Sequence, residues 1–209
     1  MKRNNHYDKI APFYDALAHL VLGKNYQNSK SLFFEKIKPE ENILYLGGGT
    51  GQEIVSLLEA IGPTGKLVYM EASLKMIRLM ETRLPNRLRS RIEILHCADF
   101  SHIPDVNFTT VITQYFFDVL ADQQIHQLFE AVNKRSNPKT TWIFVDFYPI
   151  RERKWLIGLM INAFKILVSH PRKDLPRYDG YFEHYGWRVT AVKEFNKGFI
   201  KGKIFQLDG

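Results

Sequence analysis

The residues best suited to chemistry are Gly47-Gly48-Gly49-Thr50-Gly51, between the apolar run Ile43-Leu44-Tyr45-Leu46 and a stretch with Ile54, Val55, Leu57, Leu58 and Ile61 at helical spacing. Glycines in such a turn let the backbone reverse sharply and let a ligand approach the main chain, while the helix N-terminus adds free N–H donors. Glu71 closes a second apolar run about 20 residues beyond Gly51, where a carboxylate can accept both hydroxyls of a ribose. Capping the next helix is the plainer use of an acid there. Asp99, followed by Phe100, stands just past a third run, Arg91 to His96. It could accept from an adenine amino group while the ring walls a pocket, or it could simply form a turn.

The glycine spacing is Gly-x-Gly-x-Gly, and position 52 is Gln52. The dinucleotide pattern needs a third glycine there for close helix packing, so a pyrophosphate is the poorer guest and a nucleoside with a small tail the better one. An NAD(P)-dependent oxidoreductase would share the acid after the second strand, but Asp99 and the long preface before Ile43 argue against it.

Positioning these residues takes alternating strands and helices. Strands are expected at Ile43 to Leu46, Lys66 to Glu71, Arg91 to His96, Thr109 to Gln114 and Thr140 to Phe147. Amphipathic helices are expected over Ile54 to Ile61, around Leu74 to Leu84 and at Asp122 to Lys134. The rhythm predicts right-handed crossovers and an α/β, doubly wound, mainly parallel sheet. Trp187 to Glu194 and Gly198 to Leu207 read as a closing antiparallel pair, making seven strands with an antiparallel edge. Helix-like stretches at Tyr7 to Leu22 and Gln27 to Ile37 precede the first strand and are expected to form a helical lid. The expected division is a single domain, 1–209: lid 1–40, ligand-binding core 41–148, and C-terminal helix with strand pair 149–209.

The 209 residues suffice for one sizeable core. The lone cysteine, Cys97, excludes an internal disulfide, no Cys/His spacing suits a metal, and a cytoplasmic location is expected. The N-terminus lacks the apolar segment of a signal peptide. A net charge of +7 is spread along the chain, with clusters at Arg83 to Arg91 and Arg151 to Lys154. A solvated basic surface explains it most simply, attraction to an anionic substrate or membrane less so. Nucleic acid is not expected, because the aromatics are not interleaved with the basic residues.

The chain resembles the class I S-adenosylmethionine (SAM)-dependent methyltransferases, whose fold is Rossmann-like, and especially their ubiquinone and menaquinone biosynthesis C-methyltransferase branch. The resemblance runs from about Tyr7 to Tyr148. Tyr7-Asp8-Lys9-Ile10-Ala11-Pro12-Phe13-Tyr14-Asp15 is similar to that branch's lid signature, Ile43 to Gly51 to its SAM loop, Glu71-Ala72-Ser73-Leu74-Lys75-Met76 to its ribose segment, and Ala98-Asp99-Phe100 to its adenine segment. The resemblance implies SAM as cofactor. Gly47, Gly49 and Gly51 would hold the methionine part, Glu71 and Ala72 the ribose, and Met76 the adenine face. Asp99 and Phe100 would take the adenine edge, Gln114 would line the cavity near the sulfonium, and Tyr7 and Tyr14 would either roof the pocket or pack in the core.

Two departures stand out. Tyr45 replaces an acidic residue that in relatives helps hold the loop and the ligand's amino end; Glu53 or Tyr14 could compensate. Asp118 stands where relatives often carry histidine. SAM already carries an activated methyl, so alignment and exclusion of water matter most, with one base to take the acceptor's proton. Asp118 and Tyr14 are the foremost catalytic candidates, ahead of Asp146, His6, His19 and Tyr148, although Asp118 could instead cap a helix. A small-molecule methyl acceptor follows. The apolar helix expected at Trp155 to Val168 is either core or a surface meeting lipid or an apolar, quinone-like acceptor. A non-catalytic SAM-binding protein is the competing reading, and the oligomeric state is left open.

Overall fold

A computed structural model describes residues 23–150 and 174–209. Tyr7 to Leu22, with Tyr7, Tyr14, His6 and His19, and the stretch Trp155 to Val168 lie outside the described residues.

The strands are β1 (Asn42–Leu46), β2 (Lys66–Glu71), β3 (Ile92–His96), β4 (Thr110–Gln114), β5 (Thr141–Phe147), β6 (Trp187–Phe195) and β7 (Ile200–Leu207). They form one seven-stranded sheet in the order β3-β2-β1-β4-β5-β7-β6. The pairs from β3 through β5 are parallel, and β7 runs antiparallel to both β5 and β6. Among the described residues, four helices accompany the sheet after α1 (Lys24–Lys30): α2 (Ile54–Ala60), α3 (Leu74–Arg83), α4 (Asp122–Asn133) and α5 (Tyr178–His184).

The central strands are apolar without alternation because both their faces are covered. Ile43 and Tyr45 enter one core cluster while Leu44 and Leu46 enter the other across the sheet. Strand order reverses between β1 and β4, which opens a crevice at their carboxyl ends, where open α/β sheets bind ligands. Gly47 leaves β1 at that crevice and Tyr115 leaves β4 beside it.

The sequence expectation fails in two places. Gln27 to Ile37 is not one helix: α1 stops at Lys30, Phe33 takes φ 67°, and a separate 3₁₀ turn covers Phe34–Lys36. The break lets consecutive residues Leu32 and Phe33 both bury, and both press on Gly202 of β7, where a Cβ would overlap Leu32. A continuous helix would splay neighbours about 100° apart. The second omission is α5, whose Tyr178 and Phe182 sit one turn apart in the core. Phe182 stacks on Phe205 at 3.7 Å between centroids, and Phe117 lies at 5.8 Å on Phe182. The basic cluster is partly structural, since Arg83 donates to the Thr50 carbonyl and Arg91 to that of Leu58.

Candidate active site

The turn after β1 is held from both sides. Gly47 donates to the Met70 carbonyl at 2.9 Å, and the Gly49 amide donates to a Glu71 carboxylate oxygen at 3.0 Å. The Tyr69 hydroxyl donates to the Gly49 carbonyl at 2.5 Å. Gly47, Gly49 and Gly51 all have φ between 63° and 65°, a region that L side chains enter only at a cost. Their surroundings differ. A Cβ on Gly47 would overlap the Phe116 ring, one on Gly48 the Tyr69 ring, and one on Gly51 the Met80 side chain, whereas none of the described residues lies within 4 Å of the Cβ direction of Gly49. Among the described residues, three of these glycines are therefore needed by the protein's own packing, and Gly49 alone is left uncovered.

Glu71 is half-buried at the carboxyl end of β2. Its second oxygen accepts from the Ser73 amide at 2.8 Å, while Ser73 itself caps α3 by accepting from Met76 N–H. Burial raises the carboxyl of Glu71, opposed by the amides of Ser73, Gly49 and Ala72 and by the nearby Lys30 ammonium. Each oxygen keeps a lone pair after its backbone bond. Glu71 thus braces the α3 entrance, as the plainer reading supposed, and retains acceptor capacity toward the crevice. The Ala72 carbonyl lies 3.2 Å from His96 Nε2, and Met76 is buried.

Asp99 is exposed. It accepts from the Ser101 amide at 2.9 Å, which is the main reason its carboxyl is lowered, and starts the 3₁₀ turn Phe100–His102. The turn-forming reading of Asp99 therefore applies, with its other oxygen 3.8 Å from His102 Nδ1. Phe100 is buried and meets Phe116 edge-on at 6.3 Å, so the wall it makes continues to the ring against Gly47.

Tyr45 and Gln114 form a chain that sequence reasoning did not foresee. The Tyr45 hydroxyl donates to Gln114 Oε1 at 2.8 Å, and Gln114 Nε2 donates to the Lys30 carbonyl at 2.7 Å. Both side chains are buried. Position 45, where the resemblance led us to expect an acid, is thus filled by a neutral ring that meets Tyr69 edge-on. Next along, Tyr115 takes φ 53°, a strained conformation for a bulky residue that persists only where surroundings fix it. They do: its amide donates to the Val145 carbonyl, its hydroxyl shares a 2.5 Å hydrogen bond with Ser29 Oγ, and its ring packs on Tyr26 and Phe147. Glu53, the other suggested substitute for the acid, accepts from Ser56 Oγ within its own turn.

The far side of the crevice, beyond β4 and β5, carries acids and rings. Asp146 is fully buried; its two oxygens accept from Phe147 N–H at 2.8 Å and Phe117 N–H at 3.2 Å. Burial, and then the negative charge of Asp118, push the Asp146 carboxyl well above the ordinary range. Asp118 is itself buried in the 3₁₀ turn Phe117–Val119. At the start of α4 it is Gln124 that reaches back to the Ala121 amide. Tyr178 faces Asp146, and burial together with that acid raises its phenol. Tyr148 donates to Asp179 at 3.2 Å, and buried Lys203 binds both oxygens of Asp179 at 2.6 and 2.7 Å. Lys203 and Lys201 lie 5.0 and 5.2 Å from the Tyr148 ring centroid. Among the described residues no group of three acids, histidines or cysteines is placed to hold a metal, and no helix is long and apolar enough to cross a membrane.

Comparison with known proteins fits this arrangement. A demethylmenaquinone methyltransferase of Lactobacillus johnsonii is 24% identical over 214 aligned positions, covering 92% of this chain and 87% of that protein. A SAM-dependent methyltransferase of Aquifex aeolicus superposes with a TM-score of 0.65 at 18% identity, covering 96% of this chain and 98% of the other. DhpI in its S-adenosylhomocysteine (SAH) complex superposes with a TM-score of 0.68 at 16% identity, covering 97% and 93%. These two establish the shared fold. The ubiE/COQ5 methyltransferase family matches residues 2–125, more than half of the sequence, so the chain is a SAM-dependent methyltransferase and belongs to the ubiE/COQ5 methyltransferase family.

Proposed function

We propose that this methyltransferase transfers the methyl of SAM to a small, apolar, quinone-like acceptor in its phenolic form. The observation that carries the reading is the aromatic wall beyond β5, where the Tyr148 ring lies 5.1 Å from that of buried Tyr178, with Asp118 acting on buried Asp146, in a family with a relative named for demethylmenaquinone. Flat rings favour such a wall, and a phenol must lose a proton as it becomes a nucleophile.

SAM, when bound, supplies a methyl on a positively charged sulfur. Glu71 holds the ribose through the lone pairs its backbone bonds leave. The open backbone at Gly49 takes the amino-acid end, with Gly47 and Gly51 shaping the turn. Ala72, Met76, Asp99 and Phe100 enclose the adenine, Asp99 through its outward oxygen. Gln114 acts indirectly, tying β4 to α1. Asp118 is the group proposed to take the acceptor's proton, and Asp146, biased toward its protonated form, keeps a second negative charge away. Tyr7 and Tyr14 are retained as roof residues of a 1–40 lid over the 41–148 core, with 149–209 completing one domain, and Trp155 to Val168 as the segment that meets lipid or the apolar acceptor. The chain is proposed to work in the cytoplasm, to which its lone cysteine is suited.

The test is to incubate the protein with SAM and a reduced naphthoquinone lacking the ring methyl, following product mass and SAH release. Methylated quinol is expected, and Asp118→Asn should slow its formation by roughly 10²–10⁴-fold with SAH affinity preserved. Transfer only to amines or carboxylates would overturn the acceptor assignment.

A further inference from the structure

Lys201, Lys203 and Phe205 alternate along β7 and so share one face of the sheet. Phe205 uses that face to stack on Phe182 of α5, and Lys203, two residues earlier, reaches the start of the same helix. There its ammonium binds both carboxylate oxygens of Asp179, at 2.6 and 2.7 Å, although Lys203 is only 9% exposed. Burying an ion costs desolvation that the attraction to its partner barely offsets, and apolar residues of similar size often serve stability as well. The pair has a third member. Asp179 Oδ1 also accepts from the Tyr148 hydroxyl at 3.2 Å, and the Tyr148 ring centroid lies 5.0 Å from the Lys203 ammonium.

A phenol has one proton to give and lone pairs with which to receive. Asp179, bound by an ammonium, is a carboxylate and can only accept, so the Tyr148 proton is committed to it and the hydroxyl oxygen is left to act as an acceptor. The backbone and the ring fix this direction: the Tyr148 amide donates to the Phe199 carbonyl at 2.9 Å, and the ring packs 5.1 Å from that of Tyr178. An oxygen held in this way receives an O–H well and opposes a carbonyl. The reduced form of a quinone-like ring offers the first, and its oxidised form offers the second at the same position.

We propose that Tyr148 reads the redox state of the acceptor by taking a hydrogen bond from its hydroxyl, and that Asp179 and Lys203 are positioning residues that set the polarity of this contact. The proposal rests on the reading of the Tyr148 and Tyr178 wall as the acceptor's site, and it deepens that reading by naming the group that separates the reduced from the oxidised ring.

The test is an anaerobic calorimetric titration of the SAH-bound protein with the naphthoquinol that lacks the ring methyl and, separately, with the corresponding naphthoquinone. Wild type should bind the reduced form roughly tenfold to a hundredfold more tightly, as expected for one hydrogen bond made against one opposed. Tyr148→Phe should remove that preference by weakening the quinol and not the quinone. Lys203→Met should narrow it from the other side, because Asp179 turns to water and the released Tyr148 proton then serves the quinone carbonyl. Lys203→Arg, which keeps the pair, should keep the preference, and Lys203→Met added to Tyr148→Phe should change the ratio no further. Equal binding of the two forms by wild type, or a preference that survives Tyr148→Phe, would overturn the proposal. An equal loss of both forms in Lys203→Met would make Lys203 a structural residue and overturn its positioning role. Binding of neither form by wild type would overturn the acceptor-site reading itself and this proposal with it, a distinct outcome. Tyr148→Phe keeps the ring and its packing, so the preference remains measurable even where Lys203→Met fails to fold.

Discussion

The two sides of the crevice are built from different materials. On the β1–β2 side the contacts are main-chain: amides of Gly49 and Ser73 on Glu71, and a glycine turn locked by Met70 and Tyr69. On the β4–β5 side, beyond the two amides on Asp146, they are side chain against side chain: Tyr178 against Asp146, Tyr148 on Asp179, and two lysines near the Tyr148 ring. A cofactor common to many enzymes can be held by backbone, which tolerates sequence drift. An acceptor particular to one enzyme must be met by side chains, and those are free to change.

This contrast predicts a graded set of losses. Phe117 meets Phe129, Trp142, Phe144, Tyr178 and Phe182, so Phe117→Ala should cost about 3–5 kcal/mol in urea unfolding. A cost under 1 kcal/mol would mean that the side-chain half is not a rigid core. Gly51→Ala should cost about 2–4 kcal/mol, combining its positive φ with overlap on Met80. Gly49→Ala, uncovered among the described residues, should lose only the roughly 1–2 kcal/mol of the backbone term while weakening SAH at least about tenfold. If the two alanines behaved alike in both assays, the distinction between packing glycines and a ligand-facing glycine would fail.

Smaller effects sharpen the acid side. Because burial and Asp118 raise Asp146 above its ordinary 3.8, the native state keeps a proton that the unfolded chain releases. Its contribution to stability is full below about pH 4 and is lost as pH rises through the raised native value. Asp146→Asn should flatten that decline in a series of urea titrations, and a slope equal to wild type would assign the pH dependence elsewhere. Tyr45→Phe leaves Gln114 Oε1 without its donor and should cost about 1–2 kcal/mol. At the bottom of the scale, breaking the exposed Arg87–Glu59 pair with Arg87→Ala should change stability by less than about 0.5 kcal/mol.

The same contrast explains what could be read from sequence. Strands such as Lys66–Glu71 were legible because a short apolar run ending at glycine or an acid is a local signal, and the glycine turn was legible for the same reason. Lys30 was not: in a stretch such as Lys24 to Lys30 it looks like one more solvated lysine, and only the packing of α1 under Tyr115 buries it. Asp146 and Asp118 meet through the β4–β5 pairing, and no spacing announces that contact. The break at Phe33 was hidden because Leu32 and Phe33 choose their direction from Gly202, far along the chain. The helix Tyr178–His184 was within reach, since Tyr178, Tyr181, Phe182 and Tyr185 recur at helical spacing.

The most direct test of the cofactor site is a calorimetric titration of wild type and Glu71→Ala with SAH and, separately, with NAD. Wild type should bind SAH at one site per chain and leave NAD unbound, and Glu71→Ala should bind SAH at least about tenfold more weakly. NAD binding by wild type, or SAH affinity untouched by Glu71→Ala, would contradict the assignment of this crevice to the SAM nucleoside.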